Sequence, residues 1–295
     1  MQALLLGYRG RLAPEVRQDF LTTGTLHIIA VSGSHVVIIA GVVIFVLRGM
    51  GISRERWFVL LAPLVVLYTI MTGASASAVR ACVMSVVYFM ATGLRRRPDA
   101  VSSLALAGML IVAVDPTQLV DIGFLYSFVT VMGLMALYPL FRAAIPVPWQ
   151  GDPLRALPLT RSERVWKALG KALVSAVALS VAAWLSSSLL TAYWFERFSL
   201  VALLANILVI PLAFLMVLCG CLSIVLGSCV DLLGELFNHA GVVLIQLFTA
   251  LIGGLSHIPF ACVDVPSPPL WAVAAYYLAA TVLAACLWAR RRNHG

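Results

Sequence analysis

Residues 22–41 read TTGTLHIIAVSGSHVVIIAG. The stretch has the length and apolarity of a membrane span. It nevertheless carries His27 and His35, with Ser32, Gly33 and Ser34 near its middle. A passive lipid anchor has leucine or valine at such places. Hydrocarbon offers no water, so each polar group there needs a partner inside the protein. Either neighbouring helices satisfy these side chains or a water-filled path does.

The rest of the chain is of the same kind. Of 295 residues, 62% are hydrophobic and 11% charged, and the mean hydropathy is +1.02. A soluble domain has about 25% charged residues, so this chain cannot cover itself with polar surface. The composition predicts an all-α, polytopic integral membrane helix bundle. The net charge of +8 points first to topology, because Lys and Arg accumulate in cytoplasmic loops. Cys82, Cys219, Cys221, Cys229, Cys262 and Cys286 lie mostly in apolar segments, where cysteine is a small hydrophobe. They predict no metal or redox site. The first twenty residues lack the long apolar region and cleavage site of a signal peptide.

A span needs roughly 20 apolar residues. Candidates lie at about 25–47, 57–71, 76–94, 100–114, 119–141, 167–191, 199–227, 232–252 and 270–289, which is eight or nine transmembrane or re-entrant helices. The segments at 57–71 and 100–114 are short enough to be re-entrant. The segment at 199–227 holds Asn206 and Pro211, and proline predicts a kink or a break into halves. Before the first span, Leu12, Val16 and Phe20 recur every four residues behind Pro14, as in a short amphipathic helix. Basic clusters at 48–56, 95–97, 142–171 and 290–292 all fall in the cytoplasm if nine crossings start from outside. Residues 142–166 read as a hydrophilic linker, and no second domain is expected.

Several residues stand out chemically. His27 and His35 are eight apart, about 12 Å along a helix, too far to share a metal but on nearly the same face. With Ser32 they form either a path lining or a set of helix-stabilising hydrogen bonds. Arg80 lies inside an apolar run, where an arginine costs at least ~2.5 kcal/mol. The turn before it, with Thr72, Gly73, Ser75 and Ser77, predicts a helix start. Arg80 then either adds charge to an anion-binding helix N-terminus, or pairs with Asp121 or Glu196, or snorkels. Asp121 reads as an N-cap. Ser127 and Asn206 complete the candidate path. His239 and His257 read as structural or interfacial. No ATPase, hydrolase or metal signature is present, so no catalytic residue, cofactor or enzymatic activity is expected.

Four blocks also carry a family resemblance. TGTLHIIAVSGSHVVII (23–39), ASASAVRACVM (74–84), DPTQLVDIGFLYSFVTVMGL (115–134) and RFSLVALLANILVIPLAFLMVLCG (197–220) resemble, in order, the blocks of the ComEC-type competence proteins. The family's third block usually reads DPGFQLSF, where this chain has Ile122 and Leu125. The resemblance implies passage of single-stranded DNA across the cytoplasmic membrane in natural transformation, through a channel built by the membrane bundle. It implies as partners single-stranded DNA, the lipid bilayer and other competence proteins (a DNA receptor and a cytoplasmic helicase or ATPase), with a homo-oligomer open. The family's OB-like and metallo-β-lactamase-like domains are expected to be absent. Single strands are handled by positive grooves and stacking aromatics, which brings in Arg80 and the ring faces of Phe124, Tyr126 and Phe128, although aromatics at these spacings more often serve packing. The rival readings are a transporter of another anion and a non-conducting scaffold.

Overall fold

The computed structural model describes residues 14–29, 33–94, 96, 99–146, 160–228 and 230–293. The predicted helix bundle is there. The helices are α1 (Pro14–Thr22), α2 (Leu26–Ile29), α3 (Gly33–Gly49), α4 (Arg54–Met71), α5 (Ala76–Gly93), α6 (Ala100–Val114), α7 (Ile122–Ala144), α8 (Arg161–Phe195), α9 (Ala202–Gly227), α10 (Asp231–Ser256) and α11 (Leu270–Asn293). Strands β1 (Arg197–Ser199) and β2 (Cys262–Asp264) pair with each other. Among the described residues, five helices, α5 and α7 to α10, are long and apolar enough to cross a bilayer. The amphipathic start is α1, with Pro14 as its first residue and Phe20 buried. Leu12 and the clusters' Arg95 and Arg97, like most of the 142–166 linker, lie outside the described residues.

Helix ends follow local side-chain chemistry. Ser75 accepts from the Ala78 N–H at the start of α5, as its Thr/Gly/Ser-rich turn predicts. The backbone there passes through the left-handed region at Gly73 and Ala74. Asp99 caps α6 by accepting from the Ser102 N–H at 2.7 Å. A capping box of Thr160 and Glu163 opens α8, and Glu196 closes it in the left-handed conformation. Of the kink or break expected at Pro211, the break does not occur: α9 runs unbroken from 202 to 227. Proline removes one backbone donor, but a helix buried along Ala205, Val209, Ala213 and Val217 is held by its packing. Pro63 and Pro139 are likewise inside continuous helices.

The contacts divide the chain into two units. Unit 1 comprises residues 1–128 and 199–262. One of its cores joins Phe20 and Ile28 to Ala205, Val209, Met216 and Val217 of α9 and to Phe248 and Ile252 of α10. The other joins Val36 and Ala40 of α3, Leu61 and Val65 of α4, and Cys82 of α5. Between α1 and α2 the chain turns at Thr22–Thr25. Gly24 is there because φ is +68° and a methyl group would sit 3.1 Å from the Ala202 side chain. Thr23 and Thr25, both fully buried, share a 2.7 Å hydrogen bond between hydroxyls. The Ser199 hydroxyl donates to Thr22 O at 3.0 Å and accepts from the Ala202 N–H, so the turn and the start of α9 are fixed together.

Unit 2 comprises residues 129–198 and 263–295. Its helices α7 and α8 touch where Gly133 meets Ser186. From α11, Tyr276 and Tyr277 donate to the backbone carbonyls of Leu185 and Ser186, each at 2.8 Å. Arg142 Nε donates to Ser175 Oγ at 3.0 Å.

Candidate functional site

The polar centre of unit 1 is built on Arg80. The residue sits in the second turn of α5, whose apolar neighbours commit it to the interior, and it is 5% exposed. It does not snorkel. Its Nε donates to Ser127 Oγ at 3.2 Å, and its Nη1 lies 3.5 Å from Asp121 Oδ1. Of the two carboxylates weighed above, Asp121 is thus the partner. Asp121 also caps α7 as expected, since the same Oδ1 accepts from the Phe124 N–H at 2.8 Å. One carboxylate oxygen therefore starts a helix and faces a buried cation.

Between Asp121 and Ser127 the guanidinium passes over Gly123. A methyl group on Gly123 would stand 3.0 Å from Arg80 Nη2 and 3.1 Å from Asp121 Oδ1. The absence of a side chain at 123 is what lets Arg80 lie against the first turn of α7. Phe124, buried, stacks on Phe128 at 4.2 Å between ring centroids, and Phe128 in turn lies against Gly108 of α6. These two rings pack on each other and on the bundle, which fixes the helix that carries Asp121 and Ser127.

The remaining candidates are placed differently. His35 is fully buried on α3. Asn206 is 8% exposed on α9, and α3 packs against α9. Asn206 Oδ1 is buried with no hydrogen-bond partner among the described residues. Ser32 lies outside the described residues. His27 is exposed on the four-residue helix α2, its Nδ1 3.1 Å from Gly24 O. The expected common face of His27 and His35 is corrected by this burial difference: α2 follows the tight turn at Gly24 and presents His27 outward, whereas α3 buries His35. Arg80, Asp121 and Ser127 come together; His27 does not join them.

Some organising residues were not singled out from the sequence. Gly123 is one, although its place two residues after an N-cap aspartate is a usable signal. Asp19 is another: the Ser256 hydroxyl donates to its Oδ1 at 2.7 Å across 237 residues of chain, a contact no local pattern announces. In unit 2, an open recess of about 520 Å³ is lined by Phe195, Glu196, Arg197, Asp264, Val265 and Pro266.

Long apolar helices in number, with a buried arginine partnered by a carboxylate and a hydroxyl from another part of the chain, define a multi-pass integral protein of the cell membrane. A family model described as Competence protein matches residues 4–291, and the chain belongs to that family. It is 26% identical over 269 residues to ComE operon protein 3 of Bacillus subtilis (strain 168), an overlap of 91% of this chain and 31% of that protein. The chain thus spans about a third of the length of this curated relative. No solved structure matches.

Proposed function

We propose that this chain forms the membrane part of a conduit through which single-stranded DNA enters the cell during natural transformation. Family membership supports the process, and one observation carries the site: an arginine buried inside a helix long and apolar enough to cross the membrane, held by Asp121 at the start of α7 and by Ser127 on it. Ionisable groups so placed mark substrate pathways more often than they serve packing. The conduit does no bond chemistry of its own. With no nucleotide-hydrolysing motif in the sequence, the driving force comes from other competence proteins, such as a DNA receptor outside and a helicase or ATPase inside.

The test is entry of labelled transforming DNA into the cytoplasm of cells carrying Arg80→Ala, with membrane levels of the protein measured in parallel. Entry is expected to fall at least about tenfold, the scale of losing a charged hydrogen-bonding group. Wild-type entry at wild-type protein levels would sink the assignment of Arg80.

A further inference from the structure

Arg80 and Asp121 form an unequal pair. The arginine side chain is 6% exposed and the aspartate side chain 46%. The carboxylate is therefore the accessible half, and an anion arriving from outside the bundle meets Asp121 before it meets the guanidinium. The pair is also loose. Its 3.5 Å separation exceeds the roughly 2.7–2.9 Å of a charge-assisted N–H···O bond. The reason is that Asp121 Oδ1 makes its shorter contact, 2.8 Å, with the Phe124 N–H. The guanidinium has five N–H groups, and among the described residues it has two acceptors, one of them the neutral Ser127 hydroxyl.

We propose that the Arg80 guanidinium is a binding site for a backbone phosphodiester of the translocating strand, and that the Asp121 carboxylate occupies this site at rest. Resting on the conduit reading above, this assigns Asp121 the role of a built-in stand-in for phosphate. A phosphodiester oxygen replaces Oδ1 at Nη1 and opens the fork to paired N–H···O bonds, a geometry that suits guanidinium and phosphate. Ser127 keeps Nε in place during the exchange. Asp121 keeps the Phe124 N–H, so α7 stays capped while the charge partner changes. With Asp121 in place the buried cation is neutralised, and small anions have no free positive charge to enter upon.

The cap and the charge are separable, because asparagine caps a helix about as well as aspartate. The test uses the full chain in lipid nanodiscs and a short fluorescent oligothymidylate. Asp121→Asn is expected to bind the strand about two- to tenfold more tightly than wild type, the range for removing one partly exposed competing charge. Asp121→Ser, a second capping residue, is expected to do the same. Arg80→Gln is expected to bind more weakly, and Asp121→Asn added to it to give no gain. Equal or weaker binding by both Asp121 variants, at unchanged thermal stability in detergent, would overturn the exchange. So would a gain that persists without Arg80, or displacement of the strand by inorganic phosphate at equal concentration. Absence of strand binding by wild type and every variant would overturn the conduit reading as well; wild-type binding unmoved at Asp121 overturns the exchange alone.

Discussion

Gly123 is the residue on which the Arg80 cluster depends most directly. A methyl group there meets both members of the ion pair and so presses on the buried guanidinium and on the capping carboxylate at once. Gly123→Ala is expected to cost about 1–3 kcal/mol, the scale of overpacking an interior site. Thermal unfolding in detergent reads this directly; an unchanged midpoint would mean that the guanidinium moves freely. Asp99 behaves differently because it is fully exposed. Hydrogen bonds from Ser102, from its side chain first and then its backbone N–H, hold the Asp99 carboxyl below its ordinary value of 3.8. A depressed folded value means that the stabilisation is complete above the unfolded value and is lost as the pH falls through the folded one. The first turn of α6 is expected to fray in acid below pH about 4, seen as faster amide exchange at Ser102 and Ser103. Asp99→Ala should abolish that pH dependence. Much at this scale was legible in advance. A lone arginine in an apolar run, an aspartate before a helix and a Thr/Gly/Ser turn each have one cheap explanation. Whether Arg80 paired with Asp121 or Glu196 was not legible, because pairing depends on which helices meet, and helix spacing alone does not say.

The helices themselves were the most legible level. Long apolar runs bounded by charge admit few other structures in a bilayer, and each candidate span recurs as a helix or, at its start, as α2 followed by α3. The continuity of α9 through Pro211 has a physical source. Proline costs a helix one backbone hydrogen bond and a clash with the preceding turn, and the packing of α9 in its core holds the helix together in spite of both. What the pattern could not supply was closeness of approach. At Gly133 a methyl group would run into the Ser186 hydroxyl and Cβ, so α7 and α8 lie closer there than a side chain allows. Gly133→Ala is expected to destabilise unit 2 by about 1–3 kcal/mol, and Ser186→Gly in the same chain to recover part of the loss. No recovery in the double variant would show that the strain lies elsewhere. The tyrosine bonds to the carbonyls at 185 and 186 mark the same level of α8, from α11.

For the molecule as a whole, the family placement rests on a match to nearly all of the chain, and the four sequence blocks anticipated it. The division into two units was not anticipated, because hydropathy reports depth in a membrane and is silent about which helices share a core. Unit 1 draws its parts from both ends of a long stretch of sequence. Helix α1 is held by Phe20 against Phe248 and by Asp19 against Ser256. Ser256→Ala is expected to loosen α1 without unfolding the bundle, read as faster proteolysis between Asp19 and Gly24 in membranes. Equal cleavage rates would mean that Phe20 alone secures it.

The bond between Asp19 and Ser256 also sets an order of events during synthesis. Chains emerge from the ribosome N-terminus first, at roughly 5–20 residues per second. The segment with Phe20 and Ile28 is made well before α9 and α10, which bury it. Until Ser256 has emerged, α1 lacks its partners on α10. Assembly of unit 1 is therefore timed by its final helix. A chain that stops short of α10 leaves Asp19 and Phe20 without Ser256 and Phe248, an exposed segment that quality-control proteases can read as unfinished.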